Sequence, residues 1–186
     1  MKIILASSSP RRKDLLQKAG IDFIVDASFI DEVMDESLPL LDRLKKLAID
    51  KATPIHNKYS QDVVIGADTV VYCENEIIGK ATDADDARNI LKKLSQNKHT
   101  VYSAVAIYIG HKLYSFVEST DVYFKDISDK IEDYVTSNEW IGKAGAYAIQ
   151  ETACDFVEKI DGDINNVIGL PVDKVLSLLK KEQVIS

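Results

Sequence analysis

The 186-residue sequence predicts an α/β protein in which helices surround a mixed β-sheet. Two observations lead to this prediction: short apolar runs rich in β-branched residues alternate with segments of helical periodicity, and the segments follow one another without a repeat or a Gly/Ser linker. With 46% apolar and 28% charged residues, the chain can bury an ordinary core. Its length indicates one domain over 1–186, or two closely packed lobes.

The N-terminal elements are the most clearly marked. Residues 2–6 form an apolar run that predicts a buried strand. Ser9 is placed as an N-cap and Pro10 as the first helical residue, so a helix is expected to continue to about Ala19. Gly20 is expected to end it.

The next segments alternate between extended and helical patterns. Residues 23–27 predict a short strand, and the polar, acidic residues 28–38 predict a loop. Leucines at helical spacing predict a helix from residue 40 to about residue 56. The run 63–72 predicts a strand that Gly66 interrupts.

The second half continues the alternation. A helix is predicted over about 83–95, followed by an antiparallel pair of strands at 100–110 and 113–124. Further helices are predicted over 128–138 and 171–182.

Composition excludes several classes of protein. The net charge is −7, from 30 acidic against 23 basic residues, which argues against a nucleic-acid-binding protein because such proteins need a basic face. Cys73 and Cys154 are isolated, so neither a disulfide framework nor a structural zinc site is expected. No apolar run approaches the roughly 20 residues of a transmembrane helix. The N-terminus lacks the charge order of a secretory signal, so the expected location is cytoplasmic.

The segment from Ser7 to Arg12 is a candidate phosphate site. Arg11 and Arg12 lie in the first turn of the predicted helix, where cations oppose the helix dipole and cost stability. Free amides, hydroxyls and two guanidinium groups at one point would bind phosphate. The alternative is that both arginines are solvated surface charges.

Two further segments carry carboxylates. Asp31-Glu32 and Asp35-Glu36 could supply oxygen ligands to Mg²⁺ or Mn²⁺, or could be a solvated acidic loop. Asp68, followed by Thr69, lies inside an apolar strand. A carboxylate buried there should meet a metal, a cation or water, because leaving it unpaired would cost several kcal/mol. The alternative is a hydrogen-bonded core aspartate.

Three other polar residues stand out less. Lys51 lies on a helix with an apolar pattern, and Lys80 follows a glycine turn from which it could reach a phosphate. The Gly and Asn density of residues 142–150 and 160–171 predicts tight backbone turns. Gln150 is predicted to end an apolar strand within the run from Gly142, and its amide could read a base edge by donating and accepting at once. Solvated lysines and a turn-capping glutamine are the alternatives.

Taken in order, these segments resemble the Maf family. The resemblance rests on five motifs over nearly the whole chain: S-x-S-P-R-R after a strand, G-A-D-T-V-V, a G-K turn, K-A-G-x-Y-x-I-Q, and D-G-D-x-x-N-V-x-G-L-P. It implies a fold like that of inosine triphosphate pyrophosphatases, with a long mixed sheet, two lobes and a central cleft. It also implies a homodimer and metal-dependent hydrolysis of a nucleoside triphosphate to the monophosphate and pyrophosphate, a house-cleaning activity.

The resemblance also assigns roles by position. The implied phosphate-binding residues are Ser7, Arg11, Arg12, Lys51 and Lys80. Asp68 matches the catalytic carboxylate and, with Glu32, the implied Mg²⁺ or Mn²⁺ ligands. The sequence departs from the family pattern at Ala81, where a proline is usual after the G-K turn.

The implied substrate is a pyrimidine nucleotide. Arg11, Thr69 and Gln150 match the specificity positions of the branch that cleaves dTTP and UTP. The other readings are a pyrophosphatase for 7-methyl-GTP or another modified purine, and a nucleotide-sensing regulator of cell division.

Overall fold

The structure is a computed structural model that describes residues 1–27, 30 and 33–186. Contacts divide it into two compact units. The first unit comprises Met1–Asp68, Ser103–Glu118 and Gly169–Ser186, and the second comprises Thr69–Tyr102 and Ser119–Ile168. Among the described residues, no helix is long and apolar enough to span a membrane.

The described residues form seven strands in one mixed sheet. The strands are β1 (Ile3–Leu5), β2 (Ile24–Val25), β3 (Val63–Cys73), β4 (Glu76–Ile78), β5 (Lys98–Ile109), β6 (Lys112–Phe124) and β7 (Val157–Asp161). Their order is β2-β1-β3-β5-β6-β7, with β4 paired to β3. β1 runs parallel to both β2 and β3, whereas β4 and β7 run antiparallel to their partners.

The part of the chain that the structure describes has six α-helices beside the sheet: α1 (Pro10–Lys18), α2 (Leu40–Lys58), α3 (Ala84–Leu94), α4 (Ile131–Thr136), α5 (Ile164–Ile168) and α6 (Val172–Lys181). The prediction of an α/β protein with a mixed sheet and flanking helices is confirmed. The two-lobe arrangement with a central cleft stays a prediction.

The start of α1 follows the predicted pattern except at its cap. Pro10 is the first helical residue and Ser9 is the N-cap, but the Ser9 side chain makes no capping hydrogen bond. Instead the Ser9 amide donates to Ser7 Oγ over 3.3 Å. Gly20, with φ +73°, ends the helix as predicted because glycine enters the left-handed region without a steric cost.

β3 is continuous, so the predicted interruption at Gly66 is wrong. Gly66 lies inside the strand, where α2 packs directly against its backbone. A Cβ at this position would come within 2.7 Å of Ala52 Cβ and 2.9 Å of the Ala48 carbonyl oxygen. Glycine is therefore needed here for the close approach of a helix.

Residues 142–150 form turns, so the prediction that Gln150 ends a strand is also wrong. Gly142, Gly145 and Ala146 all have φ between +58° and +72°, which is incompatible with extended backbone. An apolar pattern alone could not reveal these reversals.

The structure also contains elements where the sequence predicted only turns. β7 adds an edge strand beside β6, and α5 begins where the Asn165 amide donates to Asp163 Oδ1 over 2.8 Å. Both elements are five residues long, too short to show a clear period.

The contact at Gly66 gives a stability prediction. Gly66→Ala should lower the free energy of unfolding by about 1–3 kcal/mol, because the new methyl group overpacks the contact with α2. Gly79→Ala is the control, since nothing lies within 4 Å of its Cβ position, and it should change stability by less than about 0.5 kcal/mol. Urea unfolding measures both, and equal midpoints would contradict the assigned contact.

Candidate active site

A hydrogen-bonded group in the first unit surrounds the start of α1. The Arg12 guanidinium donates from Nη1 to Ser7 Oγ over 3.0 Å and from Nε to the Gly169 carbonyl oxygen over 2.9 Å. Ser7 is buried, whereas Arg11 is half-buried in the first helical turn. Arg12 therefore connects the candidate phosphate site, Ser7 to Arg12, with the loop before α6. The two segments are 157 residues apart in the sequence.

The position of Asp68 follows from the packing at Gly66. Because side chains alternate along a strand, Gly66 and Asp68 lie on the same face of β3, the face that α2 covers. Lys51 precedes Ala52, the residue in contact with Gly66. The helix thus brings a lysine to the carboxylate two residues farther along the strand.

Lys51 and Asp68 form a nearly buried ion pair. Lys51 Nζ lies 2.5 Å from Asp68 Oδ1, and the two side chains are 16% and 10% exposed. The prediction that a buried Asp68 must meet a cation, a metal or water is confirmed, and the group it meets is an internal lysine. Removing one partner from such a pair leaves an uncompensated charge, which makes the arrangement costly to disturb.

The carboxylate of Asp68 fits a divalent cation by its chemistry. Mg²⁺ and Mn²⁺ bind hard oxygen donors, and a cation in this position could share Asp68 with Lys51. Glu32, the second predicted ligand, lies outside the described residues. Within the residues that the structure describes, no three or more His, Cys, Asp or Glu side chains form a metal-binding group. The proposed ligand pair therefore stays a prediction.

In the second unit, the G-K turn is joined to the segment that carries Gln150. Lys80 forms an isolated antiparallel bridge with Ala144, and the Gly145 amide donates to the Gly79 carbonyl oxygen over 2.9 Å. Gly145 has φ +68°, and a Cβ there would lie 2.7 Å from Val71 Cγ2. Lys80 itself is exposed.

A buried hydrogen bond anchors the same segment. Tyr147 Oη and His99 Nε2 lie 2.7 Å apart, and both rings pack edge-to-face with Phe124. Close to the end of the segment, Lys143 forms an ion pair with Glu151. Gln150 is exposed between these anchors, so its amide remains accessible to a ligand.

No local pattern connects His99 with Tyr147, because 48 residues separate them. The available signal was the position of His99 two residues before the apolar Val101 in β5, which indicates a buried ring. Burial lowers the pKa of His99 to about 4, so the ring is neutral at physiological pH. Burial also raises the pKa of Tyr147.

The last motif, D-G-D-x-x-N-V-x-G-L-P, contributes anchors to both units. In the second unit, the buried Asn166 donates from Nδ2 to the Val101 carbonyl oxygen and to Thr120 Oγ1, each over 3.0 Å. Thr120 Oγ1 in turn donates to the Asp163 carbonyl oxygen. In the first unit, the Gly169 carbonyl oxygen receives Arg12. This motif therefore has a structural role that its turn-forming composition did not reveal.

The predicted residues fall into two sets. The first unit contains two contacting pairs, Ser7 with Arg12 and Lys51 with Asp68. It also contains Arg11. The second unit holds the half-buried Thr69 together with Lys80 and Gln150.

Comparison with known proteins identifies the family. A family model described as Maf-like protein matches residues 2–182. The chain belongs to the Maf family. A Bacillus cereus (strain G9842) relative named dTTP/UTP pyrophosphatase is 41% identical, over 97% of this chain and 95% of its own length. Relatives of the same name in Thermoanaerobacter sp. (strain X514) and Clostridioides difficile (strain 630) are 42% and 41% identical over similar shares of each chain.

Membership of the Maf family agrees with the order of the five motifs, and the structure separates their contributions. Lys51, Asp68 and the exposed Gln150 present chemical groups, whereas Gly66, Tyr147 and Asn166 hold the backbone in place. Contacts of the second kind determine where the backbone of these segments lies.

The buried His99 gives a prediction for the dependence of stability on pH. The unfolded imidazole has a pKa near 6.5, so below that pH the unfolded chain binds a proton that the folded chain excludes until about pH 4. Stability contributed by the neutral ring should be present above pH 6.5 and fall as the pH drops toward 4. The loss between pH 7.5 and pH 5 should be about 2 kcal/mol.

Urea unfolding of the wild type and of His99→Gln at these two pH values measures this effect. Groups other than His99 titrate in both proteins, so the difference between the two pH-dependent losses isolates the histidine. We expect a smaller loss for the variant. Equal losses in both proteins would contradict a buried, neutral His99.

Proposed function

We propose that this protein hydrolyses dTTP and UTP to the nucleoside monophosphate and pyrophosphate. The observation that carries the proposal is the nearly buried Lys51–Asp68 pair, which offers a fixed carboxylate in a chain whose relatives are named dTTP/UTP pyrophosphatases. Family membership supports the reaction class, and the residue positions support the assignment of roles.

The basic residues are proposed to bind the triphosphate, which carries about four negative charges. Arg11, Arg12, Lys51 and Lys80 supply cationic donors, and Ser7 supplies a hydroxyl. Arg12 is held by hydrogen bonds to Ser7 and to the Gly169 carbonyl oxygen, and from this fixed position its guanidinium is proposed to bind a phosphate.

Asp68 is proposed as the general base. Its carboxylate orients a water molecule, accepts a proton from it, and so directs the oxygen to the α-phosphorus. The bond between the α-phosphorus and the oxygen that bridges it to the β-phosphorus breaks, and pyrophosphate leaves with that oxygen. Lys51 acts on the base by fixing the orientation of the carboxylate through Oδ1.

A divalent cation completes the proposal. Mg²⁺ or Mn²⁺, held by Asp68 and Glu32, would supply positive charge at the phosphate oxygens and stabilise the leaving pyrophosphate. The oxygen chemistry of the two carboxylates supports this choice over a softer metal.

Base selection is assigned to Arg11, Thr69 and Gln150. A uracil or thymine edge presents a donor between two acceptors, and a glutamine amide can both donate and accept. Gln150 is exposed at the end of a segment fixed by the Tyr147–His99 hydrogen bond. An anchored backbone next to Gln150 restricts the positions from which its amide can reach a base, and a mismatched base would leave that amide unpaired.

We further propose a cytoplasmic location and a homodimer. House-cleaning of nucleotide pools requires the enzyme where triphosphates are used, which supports the location. The outer edge of β6, which β7 covers only in part, supports the dimer.

A nucleotide panel tests the proposed reaction. The protein is incubated with dTTP, UTP, CTP, GTP, ITP and 7-methyl-GTP in Mg²⁺ or Mn²⁺, and monophosphate, pyrophosphate and orthophosphate are measured. We expect dTTP and UTP to give equal amounts of monophosphate and pyrophosphate at the highest rates. A chelator should stop the reaction, and added metal should restore it.

Three results would contradict this proposal. Preference for 7-methyl-GTP would remove the assignment of Thr69 and Gln150 to pyrimidine selection. Orthophosphate without pyrophosphate would show attack at a different phosphorus. Tight binding of triphosphate without monophosphate formation would indicate a nucleotide sensor.

A further inference from the structure

The outer edge of β6 is open over half its length. β6 spans Lys112–Phe124, but β7 pairs with it only between Asp121 and Phe124. In the part of the chain that the structure describes, no strand lies beside the preceding stretch, Lys112–Glu118, on that side. This stretch belongs entirely to the first unit.

The backbone of this stretch presents hydrogen-bonding groups to the open side. A two-residue turn at Gly110-His111 joins β5 to β6, so Ile109 and Lys112 form the first hydrogen-bonded pair of the hairpin. Even-numbered residues of β6 therefore direct their N–H and C=O groups to β5. The backbone N–H and C=O groups of the odd-numbered residues Leu113, Ser115 and Val117 point away from β5. A row of unpaired backbone groups can serve as a template for another strand.

Several side chains of this stretch favour strand pairing at the edge. No proline occurs between Lys112 and Glu118, and Leu113 is 42% exposed. Tyr114, Phe116 and Val117 favour β-structure. On the other face, α6 covers the strand through contacts of Lys174 with Phe116 and Glu118, so the edge is flanked by ordered structure.

The sequence of this stretch is complementary to itself when read antiparallel. With Ser115 opposite the Ser115 of another copy, Lys112 falls opposite Glu118, Leu113 opposite Val117, and Tyr114 opposite Phe116. Each pair joins residues on the same face of the sheet, as antiparallel pairing requires. Opposite charges, aliphatic side chains and aromatic rings are the cross-strand combinations that stabilise sheets.

Neighbouring registers do not share this match. Two other registers also keep opposite residues on the same face of the sheet. A register centred on Tyr114 places Lys112 opposite Phe116, and one centred on Phe116 places Tyr114 opposite Glu118. Neither register joins two opposite charges. The combined charge, aliphatic and aromatic pattern therefore favours Ser115 as the centre. Within one copy Lys112 already pairs with Glu182 and Glu118 with Lys174, so the pairing of Lys112 with Glu118 of the second copy would extend these ion pairs.

We infer that the open edge of β6 pairs with the same edge of a second copy of this chain, antiparallel, about a two-fold axis at Ser115. Such an interface uses one surface patch from both copies and so closes as a dimer. Its hydrogen bonds come from Leu113, Ser115 and Val117 of each copy. The inference does not depend on the proposed reaction, because none of these residues belongs to the candidate active site.

Cysteine cross-linking tests the register. In a background carrying Cys154→Ser, which removes the exposed native thiol, Ser115→Cys should form a covalent dimer on mild oxidation. Directly opposite residues of a hydrogen-bonded pair have Cα atoms about 5.5 Å apart, within the range that a disulfide bridges. Leu113→Cys is the matched control. It should not link to itself, because two such residues would lie roughly 13 Å apart along the strands, but should link to Val117→Cys when the two variants are mixed.

A second variant tests the edge without oxidation. Ser115→Pro removes an outward N–H but no hydrogen bond to β5, so it should leave the fold intact and shift the protein to monomer in light scattering across a dilution series. Circular dichroism verifies folding, and release of pyrophosphate is followed separately.

Each unfavourable outcome overturns the inference. A wild-type protein that is monomeric across the series excludes the interface. A dimer in which Ser115→Cys fails to cross-link, or which persists in a folded Ser115→Pro variant, uses a different surface. Efficient self-linking of Leu113→Cys would exclude the register. None of these results bears on hydrolysis of the triphosphate.

Discussion

Placing a carboxylate inside a sheet is costly unless a partner is held beside it, and the Lys51–Asp68 pair meets that requirement. The pair depends on Gly66, since only a residue without a side chain lets α2 approach β3 closely enough for Lys51 to reach Asp68. A glycine in β3 thus determines the packing of α2, and that packing determines the partner of the carboxylate two residues farther along the strand. A larger residue at position 66 would alter the base that we propose as well as the stability.

In the other motifs, too, long-range hydrogen bonds hold the backbone that carries the polar side chains. Arg12 is tied to Ser7 and to Gly169, which unites the first and last motifs of the chain in one hydrogen-bonded group. In the second unit, the contact of Tyr147 with His99 holds the segment that exposes Gln150. Contacts of this kind connect segments that lie far apart in the sequence.

The sequence predicted the parts of the fold that carry a strong local signal. Helical spacing located α2, and Ser9-Pro10 and Gly20 located α1, because periodicity and capping act over a few residues. Asp68 was predicted from the cost of burial, but its partner was not, because no local pattern says which helix covers a strand. The strand predicted to end at Gln150 is absent, since the positive φ of Ala146 has no signature in an apolar run. Glu32 lies outside the described residues, so its assignment still rests on the family pattern.

The central claim is that Asp68 is the base for hydrolysis, and the initial rate of pyrophosphate release from dTTP by Asp68→Asn tests it most directly. Asp26→Asn is the matched control, because Asp26 also pairs with a lysine of α2 but is more exposed and has no proposed role. With folding of both variants verified by circular dichroism, the account predicts a fall on the order of 10²–10⁴ for Asp68→Asn and a wild-type rate for Asp26→Asn. Hydrolysis by Asp68→Asn at the wild-type rate would contradict it.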